Sequence, residues 1–195
     1  ILEKMDFYNI KVSLKSSDVK NMVDAYRLFS QERDYPLHLG VTEAGPFFTS
    51  AVRSAMGIGS LLMDGIGDTI RVSVSGDPVQ EMKIAREILI SLGLKKGIKW
   101  VACPTCGRTE VDVESIALKL EEKFCHLDAP LTIAVMGCVV NGPGEAKEAD
   151  AALIGGKNES LIYIRGELYK KIANSEIVRE MERAIQWMLL NKIIE

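Results

Sequence analysis

The sequence predicts an α/β fold, and three observations carry that expectation. Strand-like segments begin near residues 8, 37 and 69, each followed by a segment of helical periodicity. Strands that alternate with helices about every 30 residues pair in parallel. After a polar hinge at Leu94-Lys95-Lys96-Gly97, two further buried strand-like runs each lead directly into a Gly- or Pro-rich turn that carries cysteine. Three units are too few for a closed (β/α)₈ barrel of about 250 residues, so the first half is either the tail of such a barrel or a small open sheet.

In the first half, Phe7-Tyr-Asn-Ile-Lys-Val-Ser-Leu14 is rich in β-branched and aromatic residues and reads as a strand. Ser17 or Asp18 then offers an N-cap, and Val19, Met22, Val23, Tyr26 and Phe29 recur at helical spacing over about 18–32. Leu37-His-Leu-Gly-Val41 is a short buried strand, and Thr42-Glu-Ala-Gly-Pro46 leads into a helix reaching about Met63. Gly57 and Gly59 weaken that helix by ~1 kcal/mol each relative to Ala, so a close approach or a break is expected there. Thr69-Ile-Arg-Val-Ser-Val74 is a third strand, and Ser75 or Asp77 opens a helix that stops at Gly93.

In the second half, Ile98-Lys-Trp-Val-Ala102 runs as a strand into Cys103, and Val113, Ile116, Ala117, Leu120 and Phe124 mark the helix that Cys125 closes. Leu131–Met136 is a buried strand that delivers Cys138. Residues 149–156 and 160–165 read as two strands joined through Gly155-Gly-Lys-Asn158, and 175–194 as a final amphipathic helix.

Composition narrows the function. The chain is 195 residues long with 26% charged residues and a net charge of −3, which does not suit a non-specific nucleic-acid binder. No apolar run approaches the roughly 20 residues of a membrane-spanning helix. Four cysteines are too few for a disulfide scaffold, and two of them form a Cys-x-x-Cys, so a reducing, cytoplasmic setting is expected. The chain starts with Ile1 and enters a strand-like pattern at once, which suggests a piece of something longer.

Two sets of polar residues stand out. Lys15 follows the first strand, Glu43 the second, and Arg71, Ser73 and Ser75 lie in or after the third. In a parallel sheet these strand ends share one face, where ligands bind. Lysine, arginine and serines together suit an anion such as a phosphate, with Glu43 as a proton donor or acceptor. The second set is Cys103-Pro-Thr-Cys106 and Cys138 in the turn Met136-Gly-Cys-Val-Val-Asn-Gly-Pro-Gly-Glu145. Thiolates in tight turns hold zinc or iron–sulfur clusters. A zinc site completed by Cys125 or His126 lacks a second tight pair, and a redox disulfide leaves Cys138 unexplained. An iron–sulfur cluster on three cysteines and one other ligand fits best, with Glu145 as the nearby carboxylate.

The runs Cys103-Pro-Thr-Cys-Gly-Arg-Thr, Met136-Gly-Cys-Val-Val-Asn-Gly-Pro-Gly-Glu-Ala, Gly40-Val-Thr-Glu-Ala-Gly and Asp68-Thr-Ile-Arg-Val-Ser resemble the hydroxymethylbutenyl diphosphate synthase family over essentially the whole chain. The resemblance implies the C-terminal strand–helix units of a (β/α)₈ TIM barrel in residues 1–95, then a smaller α/β iron–sulfur domain in 96–195. It implies a [4Fe–4S] cluster on Cys103, Cys106, Cys138 and Glu145, a substrate diphosphate on Lys15, Arg71 and Ser73, and Glu43 near the reacting carbons. The implied reaction is reductive ring-opening and dehydroxylation of methylerythritol cyclodiphosphate, with electrons from ferredoxin or flavodoxin. Members of the family are homodimers in which the cluster domain of one subunit covers the other's barrel. Only the last three barrel units are expected in this chain, so by itself it should be inactive.

Overall fold

The computed structural model describes residues 1–140 and 142–191. Asn141 of the second cysteine motif and residues 192–194 of the expected last helix lie outside the described residues. The chain divides into two compact units, Ile1–Lys95 and Lys96–Glu195.

In the first unit three parallel segments alternate with three helices. Asp18 caps α1 (Val19–Glu32), its carboxylate accepting the Asn21 N–H at 2.7 Å. The strands are shorter than the alternation suggests. The segment 7–14 contributes a single parallel bridge, Val12 to Leu37, while β1 is His38–Leu39 and β2 is Thr69–Ile70. Register pairs His38 with Thr69 and Leu39 with Ile70. The cause is partner supply: backbone groups that lack a strand neighbour must bond elsewhere. Accordingly the Ser50 hydroxyl donates to the Ser73 carbonyl at 2.6 Å, and the Glu81 carboxylate accepts the Val74 N–H at 2.9 Å.

The second helix, α2 (Phe47–Met63), runs unbroken through both glycines. A Cβ on Gly57 would lie 2.7 Å from Met22 Cε and 2.9 Å from Val41 Cγ2, so this glycine permits the close approach, whereas Gly59 faces open space. α3 (Val79–Ser91) is preceded by Asp77, whose carboxylate accepts the Val79 N–H, and Gly93 follows its end at φ 71°. The core of this unit joins Met22 and Tyr26 of α1, Leu37, Leu39 and Val41, Ile58 and Leu61 of α2, Val72, and Ile84 and Ile88 of α3.

The second unit is a five-stranded sheet in the order β3 (Lys99–Ala102), β4 (Thr132–Met136), β5 (Ala151–Ile154), β6 (Glu159–Ile164), β7 (Glu167–Ala173). The first three strands are parallel and the last three antiparallel. Ile133, Val135, Ala151 and Leu153 pack against α4 (Val113–Phe124) and α6 (Ile177–Leu190). The alternate residues Ala134, Met136, Ala152 and Ile154 face α5 (Gly142–Glu148) through Ala146. With β3, β4 and β5 parallel and in sequential order, crossovers on opposite faces have opposite hands, and one is the rare left-handed kind.

Two elements add to the expected set. The Gly-Pro-Gly-Glu145 segment is the first turn of α5 and not an open turn. β7 returns from β6 through Arg165-Gly166, both at positive φ (48° and 79°), as a tight hairpin requires. Arg-Gly is not a strong hairpin signal, which is why β7 escapes a pattern reading. Among the described residues no helix is long and apolar enough to cross a membrane.

Candidate functional site

Each unit carries one candidate site. In the second unit, β3 ends where Cys103 begins, and the Cys103 N–H still donates to the Val135 carbonyl at 3.2 Å. That ladder bond aims the residue at the turn after β4, where the Gly137 N–H donates to Cys103 Sγ at 3.1 Å. Cys106 sits in a closed turn. Its N–H donates to Thr109 Oγ1 at 3.1 Å, its carbonyl accepts the Thr109 N–H at 3.0 Å, and the Thr109 hydroxyl lies 3.8 Å from Cys106 Sγ. A bond from the Arg108 backbone, aided by the Thr109 hydroxyl, holds the Cys106 thiol below its ordinary pKa of 9.0. Cys106 is therefore biased toward the thiolate, the form that binds metal.

The turn after β4 must pass close to this loop. A Cβ at Gly137 would lie 2.8 Å from Thr109 Cγ2 and 2.9 Å from Val113 Cγ2. The backbone approach brings Cys103, Cys106 and Cys138 to the wall of one cavity of about 110 Å³, which Pro104, Arg108, Thr109 and Met136 complete. The sulfurs border one space without converging on a point: among the described residues no three His, Cys, Asp or Glu side chains gather as ligands of a single metal ion. Glu145 is exposed on the first turn of α5 and is not among the cavity's lining residues. Cys125 is at the C-cap of α4, where its thiol donates to the Glu122 carbonyl at 3.6 Å, so neither it nor His126 borders the cavity.

In the first unit, Leu37, Leu39 and Val41 point into the core, with Val12, Leu14, Ile70, Val72 and Val74 packed beside them. Because side chains alternate across a strand, Lys11, Ser13, Lys15, His38, Thr69, Arg71 and Ser73 take the other face. Burial lowers the Lys15 pKa first, and the nearby Arg71 guanidinium lowers it further. Two cations at the ends of the segments that flank β1 make an electropositive pair suited to an anion. Glu43 is exposed in the loop after β1, in the left-handed region at φ 52°. Non-glycine residues rarely sit there unless the surroundings hold them. Here the Thr42 N–H donates to the Ser16 carbonyl at 3.2 Å, and the Gly45 carbonyl accepts the Ser75 N–H at 2.9 Å. The Glu43 loop is thereby tied to the loops that follow both flanking strand segments.

Strand-end reasoning found Lys15, Glu43, Arg71 and Ser73 but missed Lys11, His38 and Thr69. The missing signal was strict alternation: 11, 13 and 15 share a face with 38 and with 69, 71 and 73 once the register is known.

Comparison with known proteins bears on both units. The GcpE TIM-barrel domain model matches residues 1–86, and the GcpE protein C-terminal domain model matches 99–187. A Clostridium perfringens protein named 4-hydroxy-3-methylbut-2-en-1-yl diphosphate synthase (flavodoxin) is 52% identical over 187 residues, which is 95% of this chain and 54% of the relative. Proteins of the same name from Fusobacterium nucleatum and Geobacter sulfurreducens are 53% and 49% identical, each over 193 residues, covering 98% of this chain and 54% and 55% of their own lengths. The chain spans about half the length of the curated relatives it matches.

Proposed function

The chain belongs to the GcpE family, and from that premise we propose that it carries the last three strand–helix units of a (β/α)₈ barrel and the iron–sulfur domain of a 4-hydroxy-3-methylbut-2-enyl diphosphate synthase. The reaction consumes 2-C-methyl-D-erythritol 2,4-cyclodiphosphate with two electrons and two protons. It yields (E)-4-hydroxy-3-methylbut-2-enyl diphosphate and water, a step of non-mevalonate isoprenoid biosynthesis. The electron donor is a flavodoxin, as in the relatives' names, or a ferredoxin. The complete enzyme works as a cytoplasmic homodimer.

Cys103, Cys106 and Cys138 would hold a [4Fe–4S] cluster through soft thiolates, with Glu145 as a hard, displaceable fourth ligand. When bound, the cluster supplies single electrons and Lewis-acidic iron. The observation that carries this reading is the three cysteines bordering one cavity, with Cys106 already biased toward its thiolate.

The protein's own groups do the rest. Lys15 and Arg71 neutralise and orient the substrate diphosphate, and the Ser73 hydroxyl donates to it. Lys15, partly desolvated and beside Arg71, gains most from an incoming anion because the anion relieves their mutual repulsion. Glu43 holds or accepts a proton near the reacting carbons, its position set by the tied loop.

Anaerobic purification followed by iron, sulfide and visible-absorption analysis tests the proposal. On the order of four irons and four sulfides per chain are expected, and a colourless, zinc-loaded protein would overturn it. In the full-length enzyme Glu145→Ala should keep much of the cluster while abolishing turnover; unchanged turnover would remove Glu145 from the mechanism.

A further inference from the structure

We infer that His38, aligned by Thr69, is a further anion-binding residue of the strand-end site, its Nε2–H donating to a phosphate oxygen beside Lys15 and Arg71. This rests on the reading of Lys15, Arg71 and Ser73 as a diphosphate site.

The His38 backbone is held on both sides. Its N–H donates to the Val12 carbonyl at 2.8 Å, and its carbonyl accepts the Tyr26 hydroxyl at 2.5 Å and the Ser13 hydroxyl at 2.9 Å. Tyr26 is fully buried, so this anchor belongs to the core. The ring is held as well: Thr69, its direct cross-strand partner in the register, places Oγ1 2.7 Å from His38 Nδ1. With both backbone groups and Nδ1 engaged, Nε2 is the group the half-buried ring has left for a ligand. The ring shares its strand face with Lys15, Arg71 and Ser73, while Leu37 and Leu39 on either side point into the core.

The chemistry suits a phosphate. Burial, then the charges of Lys11, Lys15 and Arg71, press the imidazole below its ordinary pKa of 6.5, which favours the neutral ring. The inference assigns the tautomer in which the Thr69 hydroxyl donates to Nδ1, which leaves the single ring proton on Nε2. A neutral donor adds a directed hydrogen bond without adding a further positive charge to a crowded cationic face. Thr69 is then a positioning residue, acting through the imidazole.

Pyrophosphate titrated into the 195-residue chain tests this, read by calorimetry and by ¹⁵N shifts of the imidazoles, of which the chain has two. The folded wild type should show the Nε2–H tautomer of His38, with its Nε2 signal shifting as pyrophosphate binds. His38→Leu should weaken binding about tenfold, the scale of a hydrogen bond to a charged group. His38→Gln, whose amide nitrogen reaches a similar place, should recover most of it. Thr69→Val should weaken binding several-fold and Thr69→Ser should not. If Lys15→Ala and Arg71→Ala weaken binding while His38→Leu does not, the His38 inference falls and the diphosphate site stands. If pyrophosphate leaves the wild type unperturbed, both fall. An Nδ1–H tautomer in the folded wild type overturns the inference even where His38→Leu fails to fold.

Discussion

Replacing Gly137 with Ala tests how tightly the cysteine cavity is built. The added methyl would stand 2.8 Å from Thr109 Cγ2, 2.9 Å from Val113 Cγ2 and 3.3 Å from Thr109 Oγ1. Carbon atoms rest at about 3.5–4.0 Å, so two neighbours must each retreat by more than half an ångström. Val113 cannot do so freely, because it is buried in the first turn of α4. Overpacking of this kind costs about 1–3 kcal/mol. With a urea slope of about 1–3 kcal/mol per molar, the midpoint should fall by roughly 0.5–2 M. Both tryptophans, Trp100 and Trp187, lie in the second unit, so their fluorescence follows the unfolding of that unit. Thr109→Ser removes the nearest methyl while keeping the hydroxyl, so the double variant should recover part of the loss. A coupling energy above about 0.5 kcal/mol in the double-mutant cycle is the expected sign of contact. An unchanged midpoint in Gly137→Ala, or no relief from Thr109→Ser, refutes the tight approach of the two cysteine turns.

Other outcomes follow from the same structure. Thr109→Val removes the hydroxyl beside Cys106 Sγ, so in metal-free protein the pH midpoint for alkylation of Cys106 should rise, yet stay below the ordinary thiol value because the larger contribution comes from the Arg108 backbone; an unmoved midpoint would discard the hydroxyl's role. Tyr26→Phe strips the donor from the His38 carbonyl and the acceptor from the Leu14 N–H, at a cost of about 1–3 kcal/mol; hydrogen exchange at the Leu14 amide should speed up markedly, and wild-type protection there would contradict the anchor. Glu180 in α6 is buried and paired with Lys170 and Arg183, and the Lys170 bond leads in holding its carboxyl below the ordinary value of 4.5. A carboxylate depressed on folding stabilises above its unfolded pKa and loses that contribution as pH falls through the folded value. Unfolding midpoints of the wild type should therefore decline below about pH 4.5 more steeply than those of Glu180→Gln, and parallel curves would rule the carboxylate out as the cause. Leu120→Ala, fully buried in α4, should cost the second unit about 2–5 kcal/mol, read by the same tryptophan fluorescence.

The sequence by itself determined the local and chemical vocabulary of the chain. A helix start was legible because a cap is a one-residue signal, as at Asp18, whose carboxylate accepts the N–H of Asn21 three residues on. The alternation of strand and helix, the buried runs that deliver Cys103 and Cys138, and the choice of thiolates, lysine, arginine and serine as chemical groups were equally local. The tertiary structure decided what local patterns leave open. It cut the first-unit strands to one bridge at Val12 and two residues each in β1 and β2, because strand length depends on neighbours that supply hydrogen bonds. It added β7 through an Arg-Gly turn that propensity does not favour, and it wound Gly142–Glu148 into α5 despite two glycines and a proline, where Ala146 packs against the sheet. Cys103, Cys106 and Cys138 border one cavity only because Gly137 lets two distant turns touch, and His38 joins Lys15 and Arg71 only because register puts it opposite Thr69. Contact between residues far apart in the chain is a property of packing, and no window of sequence contains it.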